Sequence, residues 1–429
     1  KQIPFEPGQR IIHRAELTQL TPGSLYEFRL SEQSRIYRFR TLPGDLTGRP
    51  VVFALGGDTG PGHGVMQQIS QRVMMHDPDF IVWGGDLAHD DGLLERWPQW
   101  DQWFRTNMRT LITPQGRLVP IVLAIGNHEM HRKRGGNHYY NFPEFKNAQE
   151  FYAYAGDIQE WRRKTSPFFH GLFAFPGQPG YNVLDFGNYL SLFVLDSDHT
   201  NPIEGPQTQW LEQSLSARQK MKHRIAVYHV PAYPSVREFE SRTPANVRTH
   251  WSPLFEKYGV KLAFEHHDHS FKRTIPIRAG KEDADGVVYM GDGPWGALSR
   301  EPQPLESRWY LSHVRSERHA MIITLREDSR HVQAINADGR VIDEHPYPYV
   351  GLDRAGLRDP DKLATHIAIL LQDDDPSMRA AAREILAVFA RTYQPQDPMD
   401  RKAFLEELQR IVIVSGTSSD ELRALAYQL

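Results

Sequence analysis

The feature that most constrains the fold of this chain is a recurring pattern of continuous apolar runs. Each run is followed by glycine or by a side chain of a type that binds metals. Three of them, at residues 51–55, 80–83 and 121–125, are followed by glycine and then by Asp or Asn. Three more lead into polar positions: Asp196, His229 and the cluster at residues 266–269. Unbroken apolar runs of this length are typical of parallel strands that are buried on both faces. Residues 65–73, with apolar positions at helical spacing, lie between two of the runs, so the pattern predicts an α/β layered sheet.

The polar residues that follow these runs form a candidate metal-binding set. In an open α/β sheet, ligands bind beyond the carboxyl ends of the strands, where such residues meet. The chain contains no Cys, so His, Asp, Glu and Asn must supply any metal ligands. The candidate ligands are Asp58, Asp86, His89, Asn127, His229, His267 and His269.

This set predicts a two-metal site that splits phosphate esters. Two cations about 3.5–4 Å apart can polarise a phosphate, generate hydroxide near neutral pH and stabilise the leaving oxygen. Such a pair needs a bridging carboxylate, and Asp86 is the candidate. On an extended segment, His267 and His269 point to the same side, so each can serve one cation. His128, beside Asn127, remains free to act on the phosphate or its leaving group.

Several residues near these motifs have a structural interpretation instead. Trp97, Trp100 and Trp103 are spaced by three, which predicts the packing face of a helix. Asp90 and Asp91 are interpreted as solvated loop carboxylates. Three loop histidines are interpreted as solvent-exposed: His63, His131 and His138.

Three regions of different composition divide the chain. Residues 1–47 alternate apolar and polar side chains and predict a β segment. Residues 48–345 carry the α/β pattern and form the predicted catalytic domain. Residues 356–429 have apolar positions at helical spacing, which predicts a small all-α appendage for packing or partner binding.

The composition argues against several functional classes. The formal net charge of -3 gives no global attraction to nucleic acid or to anionic membranes, and no nucleic-acid surface is evident. No apolar run approaches the ~20 residues of a membrane span. The chain has neither a Gly-rich nucleotide loop nor a Ser-centred nucleophile elbow.

Four segments of the chain carry a resemblance to a known family: residues 57–60, 126–129, 181–188 and 229–235. In this order they resemble the calcineurin-like metallophosphoesterase superfamily, and most closely its purple acid phosphatase branch. Residues 20–23 and 39–41 are similar to the end of that branch's fibronectin-type β domain. The resemblance covers roughly residues 15–325 and implies an α/β/β/α sandwich.

The resemblance also implies a function and a division of the ligands. It implies hydrolysis of a small phosphorylated substrate, most simply a phosphomonoester, by a metal-bound hydroxide at a pair of metal ions (Fe, Zn or Mn). One ion would be bound by Asp58, Asp86 and His269. The other would be bound by the remaining set: Asp86, Asn127, His229 and His267. His128 would bind the phosphate and assist the leaving group.

The chain departs from the family pattern at two positions. His89 stands where the family has a Tyr whose phenolate binds ferric iron, so we expect a colourless or weakly coloured protein. His89 either takes the ligand place of that Tyr, replaces the His missing from the first motif, or forms hydrogen bonds behind the ligands. His266 stands where the family has Gly, and either crowds the turn or contacts the substrate.

Two other functions are compatible with the same residues. A phosphodiesterase that acts on nucleotides or lipids would use the same metal core. A non-catalytic scaffold with this fold would instead present the C-terminal helices to a protein partner. The chain opens on Lys1 rather than Met, and this start together with the family resemblance predicts a periplasmic or extracellular protein.

Overall fold

The computed structural model describes residues 2–5, 10–61, 64–131, 148–154, 156–327 and 329–347. The chain forms two compact units, one of residues 1–328 with 333–343 and one of residues 329–332 with 344–429. The appendage predicted for residues 356–429 lies outside the described residues, as do His63 and His138.

Two short pairs of antiparallel strands lie in the N-terminal part of the chain. β1 (Gln2–Phe5) pairs with β2 (Arg10–His13), and β3 (Leu25–Phe28) pairs with β4 (Tyr37–Arg40). The second pair lies where the alternating sequence predicted strands. The guanidinium of Arg40 forms ion pairs with the carboxylates of Asp77 and Asp79, which precede the second strand of a main sheet.

The first main sheet contains the apolar runs that the sequence marked as buried strands. Its strands in chain order are β5 (Val51–Gly56), β6 (Phe80–Trp83), β7 (Ile121–Leu123), β17 (His319–Leu325), β18 (Arg330–Asn336) and β19 (Val341–Tyr347). Within the described residues the spatial order is β19-β18-β17-β5-β6-β7. β5, β6 and β7 are parallel, so their carboxyl ends, which precede Asp58, Asp86 and Asn127, lie at one edge.

The second main sheet carries the remaining candidate ligands. Its strands in chain order are β8 (Asn182–Phe186), β9 (Leu190–Val194), β10 (His223–Val227), β11 (Leu262–Glu265), β12 (Phe271–Thr274), β15 (Val288–Gly291) and β16 (Leu311–Arg315). The spatial order, over the part of the chain that is described, is β16-β12-β15-β11-β10-β9-β8. A small pair, β13 (Ile277–Arg278) with β14 (Lys281–Glu282), is joined to the start of β15 by a bridge between Ile277 and Val287. β9, β10, β11 and β15 are parallel, so His229 and the cluster at 266–269 leave the sheet at the same edge.

The described α-helices are α1 (Gly64–Met74), α2 (Trp97–Thr110), α3 (Ala148–Tyr152), α4 (Ile158–Thr165), α5 (Pro167–Leu172), α6 (Pro206–Ala217), α7 (Arg242–His250) and α8 (Ser252–Lys257). Residues of α1, α2 and α5 pack into the hydrophobic cluster of the first sheet, and residues of α6, α7 and α8 pack into that of the second. Ile81 and Trp83 of β6 join a hydrophobic cluster with α1 and α2. Phe80, on the opposite face of β6, stacks on Phe186 of β8 with ring centroids 5.2 Å apart. Because side chains of a strand alternate between faces, one face packs on helices and the other on the second sheet.

The α2 helix confirms the interpretation of the tryptophan spacing. Trp100 and Trp103 are buried in the cluster beneath the first sheet, and Trp97 packs against it. Among the described residues, the helices are all too short or too polar to cross a membrane.

Acidification is expected to destabilise the fold through the buried His319 at the start of β17. Its side chain is fully buried, its Nδ1 lies 3.1 Å from the carbonyl oxygen of Glu317, and burial lowers its pKa to about 4. The unfolded chain takes up this proton near pH 6.5, whereas the folded chain keeps the ring neutral to about pH 4. The unfolded state therefore binds more protons in that window, so the free energy of unfolding falls as the pH falls.

From His319 alone we expect a loss of about 2 kcal/mol between pH 7 and pH 5. Urea unfolding at a series of pH values measures it. His319→Gln, which cannot titrate, should lose this part of the pH dependence, and replacement of the exposed His131 by Gln should keep it. The same pH slope in the wild type and in His319→Gln would contradict this account.

Candidate metal centre

The loops after the strands hold their ligand-type residues in a backbone conformation that side chains rarely adopt. Seven non-glycine residues near the candidate site have positive φ: Asp58, Asp86, His89, Asp91, His267, His269 and Asp292. Asp58 has φ of 51° and Asp86 has φ of 54°. Non-glycine residues with positive φ are strained, and they persist only where the surrounding structure holds them in that conformation. They are therefore most common at functional sites.

Two glycines allow the loops to approach each other closely. A Cβ on Gly126 would lie 2.3 Å from the backbone nitrogen of Asp86. A Cβ on Gly293 would lie 2.2 Å from Oδ2 of Asp58. Both positions therefore require a residue without a side chain.

The first group of donors surrounds Asp58. The ligating atoms of Asp58, Asp86 and His269 lie within 4.8 Å of one another, and all three side chains are buried. Nε2 of His269 lies 2.9 Å from Oδ1 of Asp58. The backbone N–H of His267 donates to Oδ2 of Asp58 at 3.0 Å, which holds that carboxylate in place.

The second group of donors surrounds His229. Its Nε2 lies 3.2 Å from Oδ2 of Asp86, 3.1 Å from Oδ1 of Asn127 and 3.1 Å from Nδ1 of His267. Asp86, His229 and His267 again have ligating atoms within 4.8 Å of one another. Asn127 opens a 3₁₀ turn, Asn127–Glu129, which directs its amide oxygen toward His229.

Asp86 belongs to both groups, which is the arrangement that two adjacent cations require. Burial alone would raise the pKa of Asp86, but His229 and His128 beside it hold that pKa well below its usual range. Burial would lower the pKa of His229, and the Asp86 carboxylate instead raises it to about 9. A cation held by these side chains would take the place of the proton on His229, which would couple metal binding to proton release.

Backbone carbonyls fix the orientation of two of the imidazoles. Nδ1 of His229 lies 2.9 Å from the carbonyl oxygen of Gly84, and Nδ1 of His269 lies 3.1 Å from that of Leu298. A carbonyl oxygen can only accept, so each Nδ1 carries a hydrogen and each Nε2 is the atom that would bind a cation. The donor set of nitrogen and oxygen atoms thus fits two divalent or trivalent cations without thiolate ligands.

Glu129 braces the loop that carries Asp86, a role that the sequence analysis did not assign. Its carboxylate accepts hydrogen bonds from the backbone N–H groups of Asp86, Leu87 and Gly126 at 2.7–2.8 Å. Burial, with the nearby charge of Asp86, raises the pKa of Glu129 to about 8. Its position at the end of the Gly-Asn-His-Glu motif, residues 126–129, is the sequence feature that could have indicated this role.

His128 is held beside the two groups by a partner that the sequence analysis placed in solvent. Nδ1 of His128 lies 2.5 Å from Oδ1 of Asp91, and Arg96 forms an ion pair with the same carboxylate. Nε2 of His128 lies 3.9 Å from Oδ2 of Asp86. The interpretation of Asp91 as a solvated carboxylate is therefore wrong. Asp90 is also not solvated: its side chain is buried, and burial raises its pKa to about 7.

His89 lies at the same edge of the site. Its ring stacks on that of His128 with centroids 4.1 Å apart, and a ring nitrogen of His89 lies within 4.8 Å of the ligating atoms of Asp86 and His128. Nε2 of His89 is buried and makes no hydrogen bond with any described residue, and burial lowers the pKa of the ring to about 4. The imidazole is thus neutral, as a cation ligand must be.

His266 is fully buried, which bears on the two alternatives that its sequence position left open. Its side chain is 0% exposed, and its ring lies against Gly57 and Gly84. A Cβ on Gly84 would lie 1.7 Å from Cδ2 of His266, and one on Gly57 would lie 2.8 Å from its Cγ. Of the two alternatives for His266, the structure thus favours crowding of the turn. The ring packs between the loops that lead to Asp58 and Asp86.

His131 lies outside the two groups of candidate ligands. It is exposed, as interpreted from the sequence. Arg237 and Arg300, which carried no sequence signal, both donate to the carbonyl oxygen of His267.

Comparison with known proteins supports the sequence resemblance. The family model for the calcineurin-like phosphoesterases matches residues 53–271. Purple acid phosphatase 13 of Arabidopsis thaliana is 24% identical over 334 residues, which cover 69% of this chain and 56% of that protein. Acid phosphatase type 7 of Mus musculus is 24% identical over 370 residues, which cover 78% of this chain and 76% of that protein.

A solved structure shows the same fold. The structure of purple acid phosphatase PPD1 from yellow lupin (Lupinus luteus) seeds matches with a TM-score of 0.60 and 20% identity, over 77% of this chain and 60% of that chain. The predicted α/β/β/α fold is thereby confirmed. This chain spans little more than half the length of the first relative, at 56%.

The close contact between Gly84 and His266 predicts a specific pattern of stability. Gly84→Ala should lower the free energy of unfolding by about 1–3 kcal/mol, since the added methyl group overlaps the ring. His266→Gly should lower it by about 2–4 kcal/mol, since it leaves a cavity. In the double variant the methyl group has room, so its loss should be smaller than the sum by about 1–3 kcal/mol.

Urea unfolding of the four proteins measures this coupling. Gly48→Ala is the matched control, because a Cβ there would meet no described atom within 4 Å. Additive losses in the double variant would show that His266 does not pack against Gly84.

Proposed function

The chain belongs to the calcineurin-like phosphoesterase family, and from this premise we propose that it is a metal-dependent hydrolase of phosphoric esters with a pair of cations that share Asp86. One observation carries the proposal. Asp86 belongs to two buried groups of candidate ligands, and within each group the ligating atoms lie within 4.8 Å of one another. Similarity to phosphatases at 24% identity supports the same reaction class.

The proposed ligand sets follow the two groups. Asp58, Asp86 and His269 are proposed to bind one cation, and His89, whose ring nitrogen lies near Asp86, is proposed as a fourth ligand there. The second cation is bound by Asp86, His229, His267 and the amide oxygen of Asn127. When bound, two such cations polarise the phosphoryl group, supply a hydroxide nucleophile and neutralise charge in the transition state. Their identities, among Fe, Zn and Mn, stay a prediction.

His128 is proposed to contact the substrate and to donate a proton to the leaving-group oxygen. The Asp91 carboxylate accepts the hydrogen on Nδ1 at 2.5 Å, so Nε2 is left to face the site near Asp86. The contact with Asp91 also fixes the orientation of the imidazole ring, as a proton donor to the leaving group requires. Asp91 is thus a positioning residue, and Arg96 orients Asp91 in turn.

A phosphomonoester is the proposed substrate, and phosphodiester hydrolysis is the alternative within the same chemistry. A non-catalytic scaffold is disfavoured, because the described residues include two buried groups of candidate metal ligands that share Asp86. Export from the cytoplasm and a protein partner for residues 356–429 stay predictions.

Loss of the shared carboxylate should abolish turnover. We expect Asp86→Ala and Asn127→Ala to lower kcat/KM for an aryl phosphate by about 10³-fold or more, because each removes a ligand that holds the cations. Asp285→Ala, which removes an exposed carboxylate elsewhere, is the control. Near wild-type rates in Asp86→Ala would refute the assignment, provided that unfolding curves show the variant to be folded.

The His at position 89 should leave the protein without the colour that an iron-bound phenolate gives. We expect the wild type, loaded with ferric iron, to have no strong visible charge-transfer band, and His89→Tyr to gain one. Absorption spectra with elemental analysis of the same samples test this, with His131→Tyr as the exposed control. A purple wild type, or an iron-loaded His89→Tyr without colour, would contradict the placement of His89 beside a cation.

A further inference from the structure

Arg300 presents a partly buried positive charge at the rim of the site. Its Nη1 donates to the carbonyl oxygen of His267 at 3.1 Å, and its backbone N–H donates to the carbonyl oxygen of His269 at 2.7 Å. Both acceptors belong to residues in the proposed ligand sets, so the guanidinium is tied directly to the metal-binding loop.

The loop that carries Arg300 is packed against Asp58. The backbone N–H groups of Gly296 and Ala297 donate to the carbonyl oxygen of Asp58 at 3.2 and 2.9 Å. The carbonyl oxygen of Leu298 accepts from Nδ1 of His269 at 3.1 Å. Arg300 is therefore held on the side of Asp58 and His269, whereas His128 lies beside Asp86.

The charges around Arg300 do not balance. Nη1 of Arg237 shares the carbonyl oxygen of His267 at 2.6 Å and also pairs with Asp268 at 2.7 Å. The Asp268 carboxylate thus pairs with Arg237, and over the described residues Arg300 forms no ion pair. Burial and the neighbouring Arg237 lower the pKa of Arg300, while Asp58, Asp268 and Asp86 act against this. The negative charges of Asp58 and Asp86 act on Arg300. In the proposed function, however, both carboxylates bind the cations and their charge is neutralised.

Most of the hydrogen-bond donors of the Arg300 guanidinium can bind a ligand. The guanidinium carries five N–H donors, of which one is used on the carbonyl oxygen of His267. Paired donors of Arg match two oxygens of a phosphate, and this contact is stronger than a neutral hydrogen bond. A phosphomonoester near neutral pH carries close to two negative charges, whereas a diester carries one and has a second substituent in place of a free oxygen.

We propose that Arg300 binds the non-bridging oxygens of the substrate phosphoryl group and makes the site selective for dianionic phosphomonoesters. This inference rests on the proposed function, because it places the phosphoryl group between the cations. Arg237 is a positioning residue here, since it helps to fix the carbonyl oxygen of His267 that anchors Arg300.

Two measurements on metal-loaded protein test the role of Arg300. Calorimetric titration with inorganic phosphate measures anion binding without turnover. Steady-state kinetics with p-nitrophenyl phosphate and with bis-p-nitrophenyl phosphate compare a monoester with a diester that has the same leaving group. The variants are Arg300→Gln and the control Arg315→Gln, which removes an exposed guanidinium from the edge strand β16. Elemental analysis checks that both retain the metal content of the wild type.

We expect Arg300→Gln to raise the Kd for phosphate and to lower kcat/KM for the monoester by about 10- to 100-fold each. The same variant should lower kcat/KM for the diester by less than about threefold, since less charge faces the guanidinium. Arg315→Gln should leave all three values unchanged. An unchanged phosphate affinity in Arg300→Gln, an equal loss for both esters, or a loss of metal would overturn the inference. If the wild type hydrolyses neither ester, the proposed function fails, while the phosphate titration still tests Arg300.

Discussion

The buried carboxylate of Asp86 is the interaction on which the rest of the site depends. It is 1% exposed, follows β6 directly, and lies within reach of imidazoles from both sheets. An isolated buried carboxylate is costly, so charge of the opposite sign must accompany it. The hydrogen bond from the His128 backbone and the Glu129 brace fix its position, and two cations would supply the compensating charge.

The double-sheet architecture explains how donors from distant parts of the chain converge. Parallel strands of each sheet end at one edge, and Asp86 from the first sheet meets His229 from the second at 3.2 Å. Irregular loops then complete the surroundings. The loop of residues 291–300 closes over Asp58 and brings Arg300 to one side, while the loop after Asp86 brings Asp91 to His128 on the other. The site therefore has a strand-anchored centre and a rim of loops.

The residues that follow the buried strands could be predicted from the sequence, whereas the residues that reach the site from the surrounding loops could not. Asp86 and His229 directly follow buried strands, so the topology alone places them together. Asp91 and Arg300 reach the site through loop conformations that no hydrophobic period encodes, and charge composition alone makes such residues look solvated. His266 was ambiguous for another reason: its burial depends on the absence of a side chain at Gly84, which lies far away in the sequence.

The central claim is that two cations share Asp86, and anomalous diffraction from crystals of metal-loaded protein tests it most directly. The account predicts two anomalous peaks about 3.5–4 Å apart on either side of the Asp86 carboxylate. One peak should contact Asp58 and His269, and the other should contact His229 and His267. A single peak, or peaks that do not contact Asp86, would contradict the account.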